Sequence, residues 1–182
     1  MNNKFYGKKT EYLPIREDRS RTIVSYGQES VSYTHCTWYE VYFSKSENPS
    51  PSIEQIKDAV IADINSQTDE KILSGFVWTP EGGEPINVWL SAENQRNFSE
   101  AQRMAEKYGD RVLPLRFKLG EDAEENPVYH VFETVEELDN FYAESFAFVN
   151  QCLNEGWARK DSINWSLYDN DNGNNNDNED SV

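Results

Sequence analysis

Phe76-Val77-Trp78, a turn Thr79-Pro80-Glu81-Gly82-Gly83-Glu84-Pro85, then Ile86-Asn87-Val88-Trp89-Leu90 and Ser91 spell a short hairpin followed by a helix cap. Residues 115–134 repeat that layout. Leu115-Arg116-Phe117-Lys118-Leu119, an acidic turn from Gly120 to Pro127, and Val128-Tyr129-His130-Val131-Phe132 lead into Thr134. Apolar runs split by Gly/Pro-rich turns read as paired strands. Ser91 and Thr134 are N-cap residue types, and each opens a long polar–apolar stretch. The spacing predicts two helices, one ending at Gly109 and one at Gly156. Phe98, Ala101, Ala105 and Tyr108, with Met104 beside them, form the first apolar stripe; Leu138, Phe141, Tyr142, Phe146, Val149 and Leu153 form the second. Two hairpins supply four strands, and the two stripes need a surface to cover. The predicted class is α+β: two hairpin–helix repeats making a small, mainly antiparallel sheet with packed helices.

Upstream, residues 1–43 form a β-rich N-terminal segment. Arg21 to Tyr26 reads as a strand ending at Gly27. Thr37-Trp38-Tyr39-Glu40-Val41-Tyr42-Phe43 reads as another, dense in strand-favouring side chains on both faces. Residues 1–20 carry few apolar side chains and read as an arm. Residues 44–52, rich in Ser and Pro, are a linker. Ser52 and Gln55 form a capping box ahead of Ile53, Ile56, Val60, Ile61 and Ile64 at helical spacing, and a second helix start is expected at Thr68. The main domain is thus 53–168. Residues 169–182 are an Asn/Asp tail with Val182 as the sole apolar residue, a composition that predicts disorder.

A chain of 182 residues with net charge −16 is ill suited to nucleic-acid phosphates or to an anionic membrane. The tail accounts for five of the acids, leaving −11 for residues 1–168. No apolar run approaches the length of a membrane span, and the N-terminus lacks the apolar core of a secretion signal. Synthesis and maturation in a cytoplasm follow as the expectation. Cys36 and Cys152 share no spacing motif and read as reduced, buried thiols.

Candidate chemistry is thin. The tail approximates a calcium loop around Gly173, but Tyr168 stands where the first acidic ligand belongs. Cys36 and His130 lack any catalytic signature around them. Glu121, Asp122, Glu124 and Glu125 lie in a turn unsuited to holding a carboxylate pair rigidly about a sugar. Gly82-Gly83 is flanked by glutamates that repel phosphate. No cofactor, metal or catalytic residue is assigned, and the chain reads as a non-enzyme. Trp78 and Trp89 form a possible carbohydrate platform across the first hairpin. With 5 Trp, 10 Tyr and 9 Phe, a core and an interface must share the aromatic load. Trp38, Tyr39, Val41, Tyr42 and Phe43 exceed what one sheet face can hide, which predicts self-association, a dimer first, through that strand.

Several stretches carry a family likeness: residues 56–65; Ile72 to Phe76; Val88 to Phe98 with its Glu93-Asn94-Gln95-Arg96-Asn97; Leu113 to Gly120; Phe132 to Leu138; and Glu155-Gly156-Trp157-Ala158-Arg159-Lys160-Asp161 through Trp165. Over residues 53–165 the chain resembles a domain-of-unknown-function family of tailed phages, frequent in phages of gut Bacteroidales, crAss-like ones among them. The resemblance implies a structural virion protein of a head or tail fibre, mediating fibre attachment or oligomerisation and made in the host cytoplasm. Its implied partners are capsid, fibre or tail subunits. A fibre-assembly chaperone and a carbohydrate- or host-surface-binding module are the alternatives. The likeness brings no catalytic residues with it.

Overall fold

A computed structural model describes residues 3–169. The tail, the calcium loop around Gly173 and the expectation of disorder after Asp169 lie outside the described residues. The chain forms two compact units, Met1–Asn65 together with Trp157–Val182, and Ser66–Gly156. The class is α+β.

In the first unit, four antiparallel strands stand in the order β1 (Lys4–Lys8), β4 (His35–Ser44), β3 (Arg21–Ser30), β2 (Ile15–Glu17). The sequence reading of residues 1–20 as an arm is therefore corrected. Phe5 pairs with Trp38 across β1 and β4, and Ile15 pairs with Val24 across β2 and β3, so these residues are the edge strands of their own sheet. One face carries Val24, Tyr26, Tyr39, Val41 and Phe43. It packs on Ile56, Val60 and Ile64 of helix α1 (Ile53–Leu73) and on Ile163, Trp165 and Tyr168. Burial of several branched aliphatic and aromatic side chains at roughly 1.5–3 kcal/mol each is what holds this layer. The Tyr168 hydroxyl donates to the Ser25 carbonyl at 2.8 Å. The capping box is present: the Ser52 amide donates to Gln55 Oε1 at 2.9 Å, and the Gln55 amide to Ser52 Oγ at 3.3 Å. The second start at Thr68 is not. α1 runs unbroken to Leu73, because one threonine does not interrupt a helix with good formers on both sides.

The second unit holds the two repeats. β5 (Phe76–Trp78) pairs with β6 (Ile86–Val88), and β7 (Leu115–Glu121) with β8 (Pro127–Phe132), as separate two-stranded ladders. A backbone bond from the Trp89 amide to the Leu119 carbonyl at 2.8 Å joins one hairpin to the other. Helices α2 (Ala92–Tyr108) and α3 (Val135–Asp161) cover them. The core is Trp78, Val88, Leu90, Leu119 and Phe132 from the hairpins, Phe98 and Ala105 from α2, and Leu138, Phe141 and Cys152 from α3. Gly75 sits at φ +78, where an added Cβ would strike the Val88 carbonyl, so the first hairpin can begin only on a glycine.

Two expectations for α3 are corrected. The helix passes through Gly156 and ends at Asp161. Gly156 is buried because α1 comes so close there that a Cβ would lie 2.5 Å from Thr68 Oγ1. The stop signal was a packing glycine. The predicted stripe otherwise holds, with Leu138 and Phe141 buried and Tyr142, Val149 and Leu153 packed against the core, but Ser145, Cys152 and Gly156 join the buried face, Phe148 is half-buried, and Phe146 is turned out. Phe146 is 57 % exposed.

Candidate functional site

Three places gather functional side chains. The first lies on the β4 face turned away from α1. Glu40 is 2 % exposed, and its carboxylate accepts from Arg16 at 2.7 Å, Trp38 Nε1 at 2.8 Å and the Tyr42 hydroxyl at 2.9 Å. Arg16 also donates to Ser25 Oγ at 3.1 Å. A buried charge held by three donors, one of them cationic, satisfies the requirement that such groups be paired. Trp38, 6 % exposed, is stacked on Phe5 and met edge-on by Tyr12, each with centroids 6.2 Å apart. The five residues taken for an interface are therefore largely covered by their own chain. Tyr39, Val41 and Phe43 lie against the α1 layer, and only Tyr42, 43 % exposed, faces solvent. The edge strands that the sequence reading took for an arm supply the missing cover.

The second place is a cleft of about 330 Å³ in the second unit, lined by Trp78, Thr79, Glu81, Thr134, Glu136, Glu137, Asn140 and Glu144. Thr134 caps α3, accepting the Glu137 amide at 3.2 Å. Glu137 is fully engaged: Oε1 pairs with His130 Nε2 at 2.7 Å, and Oε2 accepts the Glu133 amide at 3.2 Å. Glu81, Glu136, Glu144 and Asn140 have no side-chain bond or ion pair within the described residues. Trp78 forms the floor, 3 % exposed, with His130 edge-on at 4.9 Å and Phe141 edge-on at 4.9 Å. Trp78 and Trp89 do not make a platform. Trp78 belongs to the core, whereas Trp89, between buried Val88 and Leu90, is 36 % exposed with the Lys118 ammonium 5.1 Å from its ring centre.

The third is the outer side of α3. Residues 145–154 contain no charged side chain, in a protein where 27% of residues are charged. Tyr142, Phe146 and Val149 share one helical face and, with Gln95 and Ser145, line an apolar cleft of about 150 Å³. Sequence periodicity placed Phe146 in the core; the small polar Ser145 at the buried position hid that it is turned out.

Cys36 and Cys152 are free, buried thiols. Cys36 takes the Gln28 amide nitrogen at 3.3 Å, and burial pushes the Cys152 thiol up, away from the reactive thiolate. The turn acids are structural: Asp122 accepts the Glu124 and Asn126 amides at 3.0 and 2.8 Å. Among the described residues no three His, Cys, Asp or Glu side chains are grouped to hold a metal ion, and no helix is long and apolar enough to cross a membrane.

The protein is α+β, with a four-stranded sheet in one unit and two hairpin–helix repeats in the other. Residues 55–178 match the family described as domain of unknown function DUF4376, and the chain belongs to that family. No curated protein and no solved structure matches it.

Proposed function

We propose that this is a non-enzymatic structural protein of a tailed-phage virion, a head- or tail-fibre component that attaches or oligomerises fibres by surface docking. The observation that carries the docking role is the outer side of α3. Phe146 stands exposed in ten uncharged residues, and an apolar patch rimmed by polar side chains marks a contact surface. The fibre setting rests on the phage resemblance over residues 53–165. Capsid, fibre or tail subunits are the partners. A second copy is also one, and our reading puts that contact at α3 in place of β4, whose side chains are largely covered by their own chain. Two chains of charge −16 can meet only where neither brings a charge. Mass spectrometry of purified virions tests the reading. Stoichiometric presence supports a structural component; presence in infected cells with absence from particles overturns it and leaves the assembly chaperone.

A further inference from the structure

The Trp78 cleft has a property that a solvated acidic loop lacks. The indole N–H makes no hydrogen bond among the described residues. Thr22 Oγ1 is the one side-chain nitrogen or oxygen among the described residues that is both sealed from solvent and unbonded, so the Trp78 N–H must reach open space. The cleft is the space that Trp78 lines. Trp78, 97% buried beside Phe132, Phe141 and His130, thus keeps its single polar atom open to solvent and borders a concavity lined by carboxylates.

That arrangement selects a ligand by its hydrogen-bonding roles. The floor offers a donor, while Glu81, Glu136 and Glu144 offer acceptors only and Asn140 offers both. Anions are repelled by the carboxylates. An ammonium or guanidinium group has donors alone, and would cover the indole N–H without accepting from it. A sugar hydroxyl accepts from the indole and donates to a carboxylate at the same time. The volume, about 330 Å³, lies at the small end of ligand sites and suits one sugar ring. We infer that this cleft is a binding site for a neutral monosaccharide unit of a glycan, gripped through the edge of Trp78. With Trp78 only 3% exposed, its ring faces take no part in stacking. The inference is independent of the virion reading, since a protein missing from particles can still bind sugar.

The test uses the full chain with ¹⁵N-labelled tryptophan. Each of the five indole N–H groups gives one signal, and substituting Trp38, Trp89, Trp157 and Trp165 singly by Phe assigns Trp78 by elimination without altering it. Glucose, galactose, mannose and N-acetylglucosamine are titrated, with lysine as the cationic control. The expected result is a saturable displacement of the Trp78 signal by at least one sugar at millimolar concentration. Glu136→Gln/Glu144→Gln, which changes two exposed side chains outside the core, should weaken that binding about tenfold. A Trp78 signal unmoved by all four sugars overturns the proposal. So does equal movement with lysine, or sugar binding that the double substitution leaves unchanged.

Discussion

Asp18 is half-exposed at the surface, and its carboxylate holds a turn together. Oδ1 accepts the Ser20 amide at 2.8 Å and the Arg21 amide at 2.7 Å, and the Arg21 guanidinium reaches Oδ2 at 2.9 Å. The Ser20 amide first, then Arg21, pull its pKa down to about 2 from an ordinary 3.8. A folded-state pKa below the unfolded one means stability that is present above pH 3.8 and is lost as pH falls toward 2. Asp18→Asn should therefore lower the denaturation midpoint at neutral pH, and the gap between variant and parent should close across that interval. Midpoints measured at several pH values decide it; a gap independent of pH would mean that the carboxylate's charge does not hold the turn. The residues that were hardest to foresee sit at this same scale. Glu40 looked like one acid among 33, and only the pairing of β2 with β3 brings Arg16 to it.

The helix elements were the most legible part of the chain. Ser91 Oγ accepts the Asn94 amide at 3.2 Å and Thr134 Oγ1 the Glu137 amide at 3.2 Å, so both caps stand where the sequence put them. Ser91→Ala and Thr134→Ala should each cost about 1 kcal/mol, read as a shift in urea midpoint at constant slope. Unchanged midpoints would mean that neighbouring groups satisfy the freed amides. Legibility failed where local signals and tertiary packing conflict. Gly156 carries a stop signal, but close approach to Thr68 makes it a mid-helix contact. Ser145 looks like a surface residue and Phe146 like a core one, and packing reverses them. Residues 4–8 and 15–17 gave no period of two strong enough to read, because edge strands bury little of either face.

For the whole molecule, charge and apolar exposure have to be reconciled. An acidic surface keeps copies apart, while the uncharged outer side of α3 lets them approach. If the proposed self-contact through α3 forms, Phe146→Asp should sediment as a monomer at micromolar concentration where the parent is a dimer. The fold of the monomer itself should lose no more than about 0.5 kcal/mol, because the ring is outside the core. A parent that already sediments as a monomer would remove the second copy from the list of partners and leave the heterologous contact alone.

The two units differ in how the chain supplies them. Ser66–Gly156 is one uninterrupted stretch, whereas the first unit takes residues from both sides of it. On the ribosome, the paired hairpins and their helices can be complete while the four-stranded sheet still waits for its cover. Val24 and Tyr26 stay without Ile163, Trp165 and Tyr168 until those residues emerge, some 140 positions after Ser25, whose carbonyl Tyr168 finally caps. The β-rich segment is made first and finished last. A chain broken off before residue 163 would carry a settled second unit and an unsealed first one, so the sheet closes only once residues 163–168 have been made.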